Sequence, residues 1–323
     1  MIFWKMNRWG QQTGCIGDAV EAVHKDELNG EDSLTLVLPT RALSKGDRVV
    51  WKDRWNAWHE HIVNEAALSH ADGAELYTFY CENSIAETMT DYLAEVVCEE
   101  VSASVALDDV LAPTRWAKGT VDNLGTGTLY FFEGSAHSAI GKVLETWGGE
   151  YATAITVSGE GVTGRSLSVK SRRGDDTGKL FTYGHDMGSV EQTVGADDVV
   201  TRLHCFGKGT GYGDADAGYT ERITFAEIND GKDYVEDNAA KLVWGLPDGS
   251  GGVKHAEGVA VFEDCEDEEE LLALGRAELQ ERSHPHVSYR ASVAVLSDYG
   301  YDYDDARTGD TVSLRDKTLD LRL

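Results

Sequence analysis

The sequence predicts an α+β fold dominated by strands and spread over more than one domain. Three observations carry this. The 323 residues exceed what one hydrophobic core usually serves. β-branched and aromatic runs recur along the chain, while the helical period is sustained in only a few stretches. Apolar residues at 41% and charged residues at 27% are ordinary for a folded chain.

Residues 1–100 read as the strands of a small barrel or meander. In "AVEAVHKDELNGEDSLTLVLP", Asn29-Gly30 is a strong hairpin signal between two extended runs. "DRVVWKD", "HEHIVNEAALSH" and "ELYTFYCEN" come next as strands, and alternation puts His59 and His61 on one face. The character then changes. "SASVALDDVLA" has the helix period with Ser102 or Ser104 as N-cap, and "GTLYFFEG" is a strand. "SAHSAIGKVLETWGGEY" is a helix opened by Ser135. Its apolar stripe is Ala136, Ile140, Val143, Leu144 and Trp147, and Gly148-Gly149 stops it. "YATAITVS", "RSLSVKSRR", "KLFTYG" and "GSVEQTV" return to strands. Further strands are expected at 199–206 and 219–228, joined by a glycine-rich loop. "DEEELLALGRAELQERS" is the clearest helix, with Asp267 to Glu270 on its N-terminal dipole. "HVSYRASVAVLS" and a strand after "ARTGD" complete the pattern. The four prolines, Pro39, Pro113, Pro247 and Pro285, read as boundaries. The ending at Leu323, without an evident terminal element, suggests a piece of something longer.

The charge is the unusual feature. There are 57 acidic against 29 basic residues, a net charge of −28. Such a surface repels phosphate backbones and argues against tight wrapping of nucleic acid. It remains compatible with a channel along which DNA slides without sticking. Cys15, Cys81, Cys98, Cys205 and Cys265 form no CxxC pair and read as free thiols in a reducing compartment. "MIFWKMNRWGQQTG" has no long apolar core of a signal peptide, and no apolar run is long enough to span a membrane.

Candidate chemistry is sparse. Gly207, Gly209, Gly211 and Gly213 surround Lys208 and resemble a phosphate cradle. The GxxxxGK[ST] pattern is missing, and the next stretch, "GDADAG", is acidic and leads into an extended run rather than a helix start. A flexible loop between strands is the expectation, with contact to a neighbouring subunit or another protein of its assembly if it has a role. His59-Glu60-His61 and His284-Pro285-His286 are histidine pairs that need a third ligand to hold a metal, and none is visible. His24, His70 and His137 show no partner, and "YGYDYDDARTGD" lacks the calcium-loop spacing. No GxSxG or paired Cys/His set is present. No catalytic, cofactor or metal residue is therefore assigned.

Taken in order, several blocks resemble a known family. They are "ELNGEDSLTLVLP" (27–39), "ALDDVLAPTRWAKGTVD" (106–122), "SAHSAIGKVLETWGGEY" (135–151) and "FTYGHDMGSVEQTVGADDVVTRLHCFGKG" (181–209). "YVEDNAAKLVWG" (234–245), "ELQERSHPHVSYRASVAVL" (278–296) and "GDTVSL" (309–314) complete the series. The chain resembles the N-terminal module of siphophage and prophage tail-tip proteins, the prophage endopeptidase tail or tail-associated lysin family, similar in fold to baseplate hubs. Within the block at 181–209, Thr201, Arg202 and Leu203 carry more of the likeness than the glycines do. The resemblance implies two small hub-type β-barrel domains plus an inserted α/β domain. The first barrel would span 1–100, the middle domain 101–195 with 236–284, and the second barrel 196–235 with 285–323. It also implies a homotrimeric ring in the virion tail, assembled in the host cytoplasm. The ring would meet distal tail and tape-measure proteins and pass DNA without specific binding. Any lysin or endopeptidase domain would lie beyond Leu323. The alternatives are a peptidoglycan hydrolase and a host-glycan-binding module using Trp51, Trp55 or Trp58.

Overall fold

The structure, a computed structural model, describes residues 2–71, 74–159, 161–195, 199–210, 221–263, 265–293, 306–317 and 321–322. The chain forms two compact units. The first comprises Met1–Leu180, Leu296–Leu314 and Leu323, and the second Phe181–Val295 and Arg315–Arg322.

The first unit opens with β1 (Phe3–Met6), β2 (Gln12–Ile16), β3 (Glu21–Asp26), β4 (Asp32–Leu38), β5 (Arg48–Lys52), β6 (Trp58–Ala71) and β7 (Ala74–Asn83). They form one antiparallel sheet in the order β2-β1-β5-β6-β7-β4-β3. The predicted hairpin joins β3 to β4, with Asn29 at φ 51°, a conformation Asn tolerates better than most residues. Strand alternation sends Leu34, Leu36, Leu38, Val49, Trp51, Val63, Phe79 and Cys81 to one core, which Phe3 and Ile16 also join. Six of the seven strands thus feed a single cluster, so the sheet is curled round it. The expected barrel is not closed: β2 and β3 end the order and are not paired with each other. Among the described residues no closed barrel is found, which corrects the two-barrel expectation.

A short 3-10 turn, Ser84–Thr90, leads to β8 (Tyr92–Ser102), α1 (Ala103–Leu111), β9 (Ala117–Val121), β10 (Thr126–Ser135), α2 (Ala136–Trp147), β11 (Glu150–Ser158) and β12 (Gly161–Lys170). β8 pairs with β10, while β12 pairs antiparallel with β11 and parallel with β9. Ser102 is the N-cap residue of α1 without a side-chain cap bond, whereas the Ser135 hydroxyl accepts the Ser138 N–H at the start of α2. Ala136, Ile140, Val143 and Trp147 are buried as the period predicts. They pack with Leu107, Val110, Trp116 and Leu167 in a second core. The Asn29 turn meets this α/β part: its side-chain amide donates to the Gly149 carbonyl at 2.9 Å and its Oδ1 accepts the Tyr151 N–H at 2.9 Å.

β13 (Asp176–Thr182) carries the chain towards the second unit. There β14 (Met187–Gly195) pairs with β22 (His286–Val293). β15 (Arg202–Phe206) continues into β16 (Gly209–Thr210), which pairs with β17 (Glu221–Arg222). Then come β18 (Tyr234–Glu236), α3 (Asn238–Trp244), β19 (Leu246–Pro247), β20 (Val253–Lys254), β21 (Glu257–Val261) and α4 (Glu268–Arg282). β23 (Thr311–Asp316) and β24 (Leu321–Arg322) close the described chain. β15 lies between β18, antiparallel, and β21, parallel. This α/β sheet buries Leu203 and Cys205 with Phe225, Leu271 and Leu279. The partition expected from sequence put 196–235 with 285–323, but β15 shares its sheet with 257–261, because a helix-bearing crossover brings β21 parallel beside it. The strand expected at 219–228 is short: β17 gives way to a 3-10 turn at Ala226–Ile228.

Candidate functional site

The curl of the first sheet brings together side chains that its strand order keeps apart. His24 lies on β3 at the end of the sheet, and His59 lies on β6, three strands away. Flat spacing would separate those strands by about 14 Å at ~4.8 Å per strand. Their rings nevertheless lie 5.1 Å apart. His61, two residues along β6 from His59, stacks beside it at 6.4 Å, and Trp51 of β5 lies 4.6 Å from His59 and 4.9 Å from His24.

Asp32, the first residue of β4, anchors the cluster. Its Oδ1 is 2.9 Å from Nε2 of His24 and 2.9 Å from Nε2 of His61, and its Oδ2 accepts the Asn83 amide at 2.6 Å. Burial pushes the Asp32 carboxyl up, but hydrogen bonds from His24 and His61 override it and hold the group well below the usual carboxylate range. His61 is completely buried, and its Nδ1 accepts from the Trp51 indole N–H at 3.3 Å. An indole nitrogen only donates, so the His61 proton sits on Nε2 and points at Asp32. Burial keeps His61 below its ordinary pKa, so it is neutral at pH 7. His59 has its own carboxylate: Nε2 lies 3.0 Å from Asp53 Oδ2 in the β5–β6 turn. The prediction that His59 and His61 share a face holds. The reading of His24 as a histidine without a partner does not, because the curl supplies Asp32, His59 and His61. His137, also read as unpartnered, has its Nδ1 3.3 Å from the Thr88 hydroxyl. Beside the cluster lies a cavity of about 400 Å3, lined by Asp32, Asn83, Tyr151 and His137 with Ile85 and Ile140.

On the opposite face of β6, Glu60 starts a chain of buried charges. Arg165 of β12 grips it bidentately, at 2.6 Å from Nε to Oε2 and 2.7 Å from Nη2 to Oε1. Arg48 stands 3.1 Å from Glu60 and hydrogen-bonds Glu87, which also takes Arg115 at 2.6 and 2.8 Å and the Trp116 indole at 3.0 Å. Burial raises the Glu87 carboxyl, but Arg115 and Arg48 outweigh it and hold it at about 2, against its ordinary 4.5. A lowered folded-state pKa contributes stability that is fully present above the ordinary value and is lost as pH falls through about 2. Between pH 5 and pH 2, on the order of the two pKa values, the urea midpoint of the first unit falls, and in Glu87→Gln it falls less steeply. Parallel pH profiles for the two proteins would remove Glu87 from the explanation.

The other candidates read from sequence are structural where they are described. Gly207 donates to the Ile223 carbonyl, and a Cβ there would stand 2.6 Å from the Cys265 carbonyl, so close packing requires glycine. Lys208 pairs with Glu266 rather than facing an anion site. Gly211 and Gly213 lie outside the described residues, as do most of "YGYDYDDARTGD" and the His286 side chain. Thr201 is buried and accepts the Ala256 N–H at 2.9 Å, Arg202 pairs with Glu236 and Glu257, and Leu203 is core. Cys81, Cys98, Cys205 and Cys265 are buried free thiols, and Cys15 is exposed and free. Trp51 is 3% exposed, which removes it as a sugar platform. Trp58 packs against Trp4 and Lys52, and Trp55 carries Arg54 and Arg307 over its ring. Among the described residues no helix is long and apolar enough to cross a membrane.

Residues 175–323 match the family model described as prophage endopeptidase tail. No curated protein matches. Prophage tail protein gp18 from Listeria monocytogenes EGD-e shares the fold at a TM-score of 0.60 and 11% identity, over 100% of this chain and 87% of that one. The tail protein from Neisseria meningitidis MC58 gives 0.61 and 11%, over 99% of this chain and 89% of its own. The 43 kDa tail protein of prophage MuSo2 from Shewanella oneidensis gives 0.54 and 11%, over 100% and 86%. Identities this low show a shared fold. Residues 175–323 are thus similar in sequence to the prophage endopeptidase tail family, and the chain over its whole length has the fold of these prophage tail proteins.

Proposed function

We propose that this protein is a structural component of a phage or prophage tail tip, a hub whose copies form a trimeric ring that closes the tail tube and conducts DNA, without catalysis in this chain. The observation that carries the reading is the prophage-tail family match at 175–323 on a chain whose full length has the fold of prophage tail proteins. Two features support it. The outer face of the β8–β10 pair carries an apolar cluster among carboxylates: Val97 stands opposite Tyr130, Phe132 comes two residues on opposite Glu95, and all three are about half exposed, with Glu99 taking the Tyr130 hydroxyl. Exposed apolar side chains rimmed by charged ones suit burial between subunits. The net charge of −28 suits a ring that DNA passes through, since carboxylates on a lumen repel the phosphate backbone. The curled sheet of the first unit is the first ring-forming part on this reading. In the virion the ring would contact distal tail and tape-measure proteins.

Light scattering on the purified chain, alone and with the neighbouring distal tail protein, tests this. Assembly to three times 35.3 kDa in either condition is expected. A monomer in both would overturn the ring. Incubation with purified peptidoglycan separates the enzymatic reading: turnover abolished by His59→Ala would replace the structural role with a hydrolytic one.

A further inference from the structure

We propose that His24, Asp32 and His59 form a binding site for a divalent transition-metal ion, with Zn2+ the best fit, and that Asp53 and His61 orient those ligands from outside. The inference does not rest on the tail-tip reading.

The donors already converge. One ring nitrogen from each histidine and one Asp32 oxygen lie within 4.8 Å of one another. A tetrahedral Zn2+ with bonds near 2.0–2.1 Å sets its donors about 3.4 Å apart, so closure needs side-chain shifts of roughly an ångström. The His24–Asp32 edge, at 2.9 Å, needs almost none. Two imidazoles and a carboxylate are a donor set that suits Zn2+ better than Ca2+ or Mg2+, which prefer oxygens.

The surroundings divide the three histidines into ligands and support. His61 has both ring nitrogens engaged, on Asp32 and Trp51, and its side chain is 0% exposed, so it positions the Asp32 carboxylate. His24, Asp32 and His59 have side chains 22%, 14% and 18% exposed, which leaves an ion a route in. Asp53 on Nε2 of His59 fixes that ring and leaves Nδ1 for the ion, the carboxylate–histidine–metal arrangement that raises ligand basicity. The charges agree. Asp32 and Asp53 bring two negative charges beside three imidazole rings, and a divalent cation balances them.

The test uses the full chain after dialysis against a chelator. Calorimetric titration with Zn2+ at neutral pH is expected to show one saturable site per chain, and Co2+ in its place to give the visible absorption of a low-coordinate complex. His24→Asn and His59→Asn each abolish this site, and Asp53→Asn weakens it about 10–100-fold. His204→Asn leaves it unchanged, although His204 also sits between carboxylates, Asp233 and Glu257, in the second unit. A readout without variants guards against misfolding. Zn2+ is expected to protect His24 and His59 of the wild-type chain from diethyl pyrocarbonate, followed by mass spectrometry. Absence of saturable binding, wild-type affinity in His24→Asn or His59→Asn, or unchanged modification of both histidines with Zn2+ present would each overturn the site.

Discussion

Glu60→Ala lowers the stability of the first unit by about 3–5 kcal/mol, the cost of leaving buried charges without their partner. Glu60 is 0% exposed, Arg48 5% and Arg165 8%. Removing the carboxylate strands the Arg165 guanidinium at the packing surface between the curled sheet and β12. Arg48 suffers as well. Its Nε has no hydrogen-bond partner, and its Nη1 stands within ion-pair distance of Glu60 without hydrogen-bond alignment, so Glu60 supplies charge compensation that nothing else replaces on that side. The penalty comes from the stranded guanidinium rather than from the net value of the pair. Glu60→Met with Arg165→Met is therefore expected to recover the part of the loss that comes from Arg165, because two apolar side chains of similar length fill that side of the site, while Arg48 retains its pair with Glu87. Tryptophan fluorescence in urea is the appropriate readout, since seven of the eight tryptophans belong to the first unit and only Trp244 to the second. A single substitution costing under about 1 kcal/mol, the range of exposed pairs, would show that water reaches the network.

That network was hidden in the sequence, and the reason is physical. Strand alternation correctly places Glu60 opposite His59 and His61, and in a one-sided sheet that face would meet water. Here the α/β part of the first unit covers it, and the partner Arg165 lies 105 residues away. Local pattern was informative where local forces decide. The Asn29-Gly30 turn, the α2 stripe with Ser135 as its cap, and the α4 start at Asp267 arise from backbone preference and periodicity, and each is found. The candidate site was half legible. His59 and His61 share a strand, so their common face comes from the two-residue period. His24 and Asp32 join them only because the sheet curls back on itself, and curl is set by core packing over six strands. The acidic, glycine-rich sequence after Lys208 gave no such guidance, and the apparent phosphate cradle became, where it is described, a close-packed Gly207 beside an ion-paired lysine.

Gly275→Ala destabilises the second unit by about 1–3 kcal/mol, against the ordinary expectation for a helix interior. Alanine normally exceeds glycine there by about 1 kcal/mol, because glycine loses more backbone entropy. Gly275 lies on the buried side of α4, and a Cβ there would meet Cys205 Sγ at 2.6 Å, Cys205 Cβ at 3.5 Å and Phe225 Cε1 at 3.6 Å. The first contact is too short to survive, and Cys205 has little freedom to give way. It is fully buried on β15, which is held on both sides by β18 and β21. The glycine thus sets how closely α4 approaches the sheet. Amide hydrogen exchange over 202–206 and 268–282 reads the effect locally, where global fluorescence would be dominated by the first unit. Removing the obstructing sulfur should reverse the sign. In a Cys205→Ala background, Gly275→Ala is expected to be neutral or to raise protection, as the helix regains its preference and the new methyl occupies the vacated space. If Gly275→Ala remained equally destabilising in that background, the obstruction would lie with Phe225 rather than Cys205, and the close approach of α4 to β15 would not be what glycine serves.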